Sequence, residues 1–267
     1  MARRASALTR RLLTLGAVAL GGAAAAGAQG KFPPDSLKNV QALPEGTTVK
    51  QLVETMRGFT RALGVRCTYC HVGSEGQPLE AMDFVADTKP AKKNARTMIR
   101  MTQAINKDEL PHLIERLEPN VTVSCATCHR GVTRPRSLTD EVLAAYGKGG
   151  MDAATARFRE LRQRYYGRAA YDFGDVSLSE AANAVHETGN TPDAIKLLEL
   201  NVELLPDSWF GHWRLAEMRA AAGQTAAAIT ALERAIALQS RPDLVERLEA
   251  LKKQAAAKPE PAEKPKP

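Results

Sequence analysis

The chain has 267 residues, 44% of them hydrophobic and 25% charged, with a formal charge of +7. That length suits one or two domains with a buried core. Arg3, Arg4, Arg10 and Arg11 carry four of the positive charges, so without the leader described next the excess is about +3, too mild to argue for a nucleic-acid partner.

Those arginines precede an Ala/Leu/Gly-rich run from Leu12 to Ala26, followed by the small-residue pattern Ala26-Gly27-Ala28. The segment reads as a secretory signal peptide over 1–28, cleaved after Ala28, which places the mature chain in the periplasm. About 15 weakly apolar residues are short for a membrane span, and no later stretch is apolar enough for one. Membrane association would then come through a partner.

The next predicted element is a helix over Thr48 to Leu63, where Leu52, Met56, Phe59 and Leu63 share one face and Gly64 supplies the stop. It leads into Cys67-Thr68-Tyr69-Cys70-His71. A second helix, from about Pro90 to about Asn106, carries Met98 and Met101 one turn apart and is followed by Cys125-Ala126-Thr127-Cys128-His129. The two motifs hold all four cysteines of the chain. Two thiols three positions apart suit the two vinyl groups of one haem edge, and the histidine after the second thiol suits the iron as proximal ligand. Structural zinc, two disulfides or a thioredoxin-like pair would each use cysteines so spaced, but none requires a histidine directly after both pairs. The expectation is two covalent haem c groups, on Cys67, Cys70 and His71 and on Cys125, Cys128 and His129. Met56 stands on the apolar face of its helix, eleven residues before Cys67. On the residues alone, each methionine reads equally as a second axial ligand or as core filler. Arg96, Arg100 and Arg130 read equally as partners of haem propionates or as solvated charge.

Aromatic residues are sparse from 31 to 137, where only Phe32, Phe59, Tyr69 and Phe84 occur. Two macrocycles would serve as the core of that region, which is expected to depend on them to fold. After Pro135 the pattern becomes Ala- and Leu-rich. Gly189 and Gly223 are 34 residues apart, as are Ala194 and Ala228, Leu198 and Leu232, and Leu204 and Leu238. That period, with glycine at the turn, resembles tetratricopeptide repeats. A degenerate earlier unit pairs Leu138–Tyr146 with a helix carrying Ala154, Phe158 and Leu161 across Gly149. Tyr165, Tyr166, Tyr171, Trp209 and Trp213 are expected in the core. The expected organisation is all-α: a diheme domain at 31–137, a tetratricopeptide-like repeat domain at 138–250, and a disordered Ala/Lys/Glu/Pro tail over 251–267.

The stretch Met56 to His71, with Ala95 to Asn106 and Cys125 to Gly131, resembles the haem-binding segments of the photosynthetic reaction-centre cytochrome c subunit family. The resemblance covers roughly 45–135. In that family a helix methionine caps each iron, which implies Met56 for the first haem and Met98, rather than Met101, for the second. A histidine after the second helix reaches a haem of another pair in the family, and His112 falls at that position. The family carries two haem pairs and this chain one, so the partner of His112 is missing and a photosynthetic host is not implied. Met101 and His112 are therefore secondary candidates. The resemblance implies one-electron transfer between redox proteins in the periplasm or at the membrane, and the repeats add a groove for a protein or peptide partner. A diheme peroxidase or reductase with one open iron, and a repeat-based assembly scaffold, are the alternatives; a carrier is favoured over a catalyst.

Overall fold

The computed structural model describes residues 31–114 and 120–257; the segment 1–28 read as a signal peptide and the residues after 257 lie outside them. Apart from an isolated antiparallel bridge between Val72 and Asp83, the described residues form helices, turns and loops.

Helix α1 (Val49–Leu63) starts with a reciprocal cap. Thr48 Oγ1 accepts from the Gln51 amide at 3.3 Å, and Gln51 Oε1 accepts from the Thr48 amide at 2.8 Å. It stops at Gly64, whose φ of 66° is left-handed. Here α1 meets the turn after the second motif: the Gly131 amide donates to the Ala62 carbonyl at 2.8 Å, and a Cβ on Gly64 would collide with the Gly131 carbonyl. Helix α2 (Pro90–Ala104) opens on proline and runs through a π-type turn (Ile105–Glu109) into a tight turn at Leu110–His112. The second motif is itself the short helix α3 (Cys125–His129).

Helix α4 (Leu138–Tyr165) is interrupted at Gly149 (φ −157°) and Gly150 (φ 64°). The break makes it the helical pair read from the sequence, and Leu138, Val142, Ala154, Phe158 and Leu161 are buried along it. Helices α5 (Asp175–Glu187) and α6 (Thr191–Leu204) form the next pair, α7 (Trp209–Ala221) and α8 (Thr225–Leu238) repeat it 34 residues later, and α9 (Pro242–Ala257) closes the stack. The intervening turns use Gly189 at φ 89° and Gly223 at φ 73°. Ala194 and Ala228, at equivalent positions, are fully buried where the helices cross. These are tetratricopeptide-like repeats on an all-α chain.

Two expectations need correction. The 251–267 segment is not all tail: α9 continues to Ala257, because Leu251 extends the stripe of Leu244 and Leu248 and is 1% exposed. Tyr165, Tyr171, Trp209 and Trp213 pack against the core, but Tyr166 is exposed, with the Arg162 guanidinium 4.4 Å over its ring.

The two halves differ in how they bury surface. The continuous apolar cluster begins at Leu138 and runs to Leu251. Among the described residues before it, only Ala62, Met82 and Val132 are buried apolar side chains. A fragment spanning 138–257 is therefore expected to fold alone as a helical unit, checked by circular dichroism and a cooperative melt. Gly64→Ala is expected to cost roughly 2 kcal/mol or more, since a left-handed backbone already costs about 1–2 kcal/mol and the collision with Gly131 adds to it. The shift of the haem-region melt measures that loss.

Candidate functional site

A cavity of about 940 Å³ lies against one side of α1, lined by Leu52, Val53, Met56, Phe59 and Leu63. Cys67, Cys70 and His71 line the same cavity. Cys67 opens the turn Cys67–Tyr69, whose backbone closes with the His71 amide on the Cys67 carbonyl at 2.9 Å, so thiols and imidazole form one local unit. Both thiols are free, and burial pushes the Cys70 thiol up. The His71 ring stacks edge-on to Phe84, centroids 4.9 Å apart, and Phe84 leans on Phe32 at 5.4 Å. His71 Nδ1 is buried with no hydrogen-bond partner. Burial, then the Lys92 ammonium, holds this imidazole below its ordinary pKa, against the pull of the nearby Phe84 carbonyl. A neutral imidazole is the form that ligates a metal.

A second cavity, about 830 Å³, lies on the other side of α1. Thr55, Gly58, Phe59, Arg61 and Ala62 wall it from that helix, with Ile99, Thr102 and Asn106 opposite and Cys125 at its margin. Burial raises the Cys125 thiol; Cys128 is exposed. His129 is buried, and its Nδ1 donates to the Val132 carbonyl at 2.9 Å. A carbonyl can only accept, so that bond fixes the tautomer and leaves Nε2 as the free ligand atom. Asn106 clamps the approach to the motif, exchanging hydrogen bonds with Val123 at 2.7 and 2.8 Å. Ala169, from the connection between α4 and α5, completes the wall.

The second-helix methionines do not join this set. Met98 and Met101 are 37% and 45% exposed and line neither cavity. They are not equivalent, however. At 100° per residue, Met98 lies about 90° from the centre of the face formed by Ile99, Thr102, Gln103 and Asn106, and Met101 about 150°. His112 is exposed at the end of its turn.

The site includes a polar hub that sequence reading missed. Lys92 is buried, and its ammonium donates to the carbonyls of Phe84, Val85 and Ala86 at 2.9, 2.9 and 3.0 Å and pairs with Asp87 at 3.0 Å. Arg96 grips the same carboxylate through both nitrogens at 2.8 and 2.9 Å, and Asn39 donates to it at 3.0 Å. The Arg96 guanidinium first, then Asn39 and Lys92, hold the Asp87 carboxyl well below the usual carboxylate range. Arg96 is thus committed to protein. The hub fixes the loop that carries Phe84 against His71. Only the nine-residue offset of Asp87 and Arg96 hinted at it, and nothing in a sequence marks a loop carboxylate for a helix cation.

Residues 16–156 match the model of the family described as the photosynthetic reaction centre cytochrome C subunit, a span that includes both motifs and, apart from Ala169, every residue lining the two cavities. The chain belongs to that family. Family membership makes it a c-type cytochrome, and the first site fits covalent haem, with Cys67, Cys70 and His71 all lining its largely apolar cavity. At the second site Cys125 lines the cavity, while Cys128 and His129 follow it in sequence without lining the cavity. A curated relative, the photosynthetic reaction center cytochrome c subunit of Rubrivivax gelatinosus, is 35% identical over 108 residues, which take in 35% of this cytochrome. The chain spans about 28% of that relative's length. Solved structures similar to this chain include the first tetratricopeptide-repeat domain of Spaghetti bound to an HSP90 peptide (TM-score 0.32, 17% identity, 45% of this chain and 91% of that one). Another is the Sgt2 tetratricopeptide domain from Aspergillus fumigatus (TM-score 0.32, 22% identity, 48% and 86%).

Lys92→Met would strip three carbonyls of their donor and leave Asp87 short of a cation. A loss of about 2–4 kcal/mol is expected from such a buried charged hydrogen-bond set, read as a lower denaturation midpoint with earlier proteolysis in 83–87.

Proposed function

We propose that this cytochrome is a periplasmic diheme electron carrier, passing single electrons between exported redox proteins. The observation that carries the reading is that Met56, Cys67, Cys70 and His71, fifteen residues apart at the extremes, face one cavity. Haem held there supplies a one-electron iron couple whose potential follows axial ligation, hydrogen bonding and burial. The protein's part is to hold and to exclude water. Cys67 and Cys70 would hold the haem covalently, and the His71 ring nitrogen and the Met56 thioether would ligate its iron. At the second site Cys125 and Cys128 would tether a haem, His129 would offer Nε2, and Met98, turned less far than Met101 from the α2 face that lines the cavity, is the proposed second ligand. Export through the 1–28 leader suits covalent haem, and among the described residues no helix is long and apolar enough to cross a membrane.

The repeat domain is proposed to dock a protein partner. Its α4, α5, α7 and α9 layer presents polar cross-helix pairs: Thr139 with Glu180, Asn183 with Arg214, and Glu217 with Arg247. Such a polar inner layer suits a peptide or protein surface better than an apolar ligand.

A second reading, a peroxidase or reductase with one open iron, draws on the absence of either second-helix methionine from the second cavity. One experiment separates the two. Pyridine haemochrome analysis should give two haems per chain, and one after Cys67 and Cys70 are both replaced with Ala. The unsubstituted ferrous protein should not bind carbon monoxide. Met98→Ala should then open one iron to it and lower that haem's potential, while Met101→Ala should not. Carbon monoxide binding by the unsubstituted protein would favour the enzyme, and zero haems would end both readings.

A further inference from the structure

The two cavities are neighbours that share a wall. Along α1 the side chains divide: Val53 and Met56 face only the first cavity, Thr55 and Ala62 only the second. Phe59 alone on that helix lines both. Leu43, from the segment before α1, and Ile99, from α2, also line both. All three shared residues are apolar, and none is fully exposed to solvent. The wall is also held in register, because the Gly131 amide ties the second motif to the Ala62 carbonyl, one turn beyond Phe59.

Resting on the two-haem reading above, we infer that Phe59, flanked by Leu43 and Ile99, is a dry partition between the haem sites and sets the redox potentials of both at once. The physical reason is charge. A ferric haem carries one more positive charge than a ferrous one, so water or polar groups at its face favour the oxidised form and an apolar face favours the reduced form. A side chain that faces one site tunes one potential. A partition tunes two, because removing it opens space on both sides.

A spectrally monitored redox titration of the full haem-loaded protein tests this. Phe59→Ala should shift both midpoint potentials downward, with haem stoichiometry and ligation bands retained. Val53→Ala, which touches the first cavity alone, should move only one. If Phe59→Ala does not load haem, Phe59→Leu and Ile99→Ala carry the test, since each still alters the shared wall and should also move both potentials. Two haems per chain with only one potential moved, or neither, in these wall variants would overturn the partition and leave the carrier reading standing. Fewer than two haems in the unsubstituted protein would overturn the carrier reading and the partition with it.

Discussion

Helix α1 presents a broad apolar face and has almost no protein to bury it against. Leu52, Val53, Met56 and Leu63 look into one cavity and Phe59 into two, while Ala62 is the only buried side chain on the helix. Burial of apolar surface is what ordinarily holds a helix in place. The two thiol-tethered haems proposed above would supply the covering body here. The arrangement of the whole region follows, with α1 as the central rib, a motif and a cavity on each side, and α2 closing the far side of both.

Where apolar packing is scarce, polar bonds take over its positional role. Lys92, Asp87, Arg96 and Asn39 hold the 83–87 loop to α2, and that loop delivers Phe84 to the face of His71. His129 is oriented by its own carbonyl partner three residues on. The two histidines are thus held by different means, His71 by burial and ring packing and His129 by a hydrogen bond. The ring of His71 is the more dependent on distant residues, so its environment should be the more sensitive to loop substitutions.

The repeat half follows the opposite plan. Its leucines and alanines pack on one another in a continuous cluster from Leu138 to Leu251, each helical pair covering the next. Even so, it is not wholly separate from the haem region, since Ala169 reaches the wall of the second cavity. A partner seated on the repeats would sit on a body that already touches one haem site.

Local rules sufficed for much of this protein. The cysteine–histidine spacing named the cofactor chemistry, the i, i+4, i+7 apolar pattern put Met56 on the face that lines the first cavity, Gly64 ended α1, and the 34-residue period exposed the repeats. Each of these signals lies within a helical turn or repeats at a fixed interval, so a one-dimensional reading can reach it. The tertiary structure alone decided what depends on contacts between distant segments. It brought Asp87 to Lys92 and Arg96, closed Gly64 on Gly131, left Met98 and Met101 outside both cavities, and made Phe59 common to both. No spacing rule encodes such contacts, because they are set by how one helix's side chains divide between two neighbours in space.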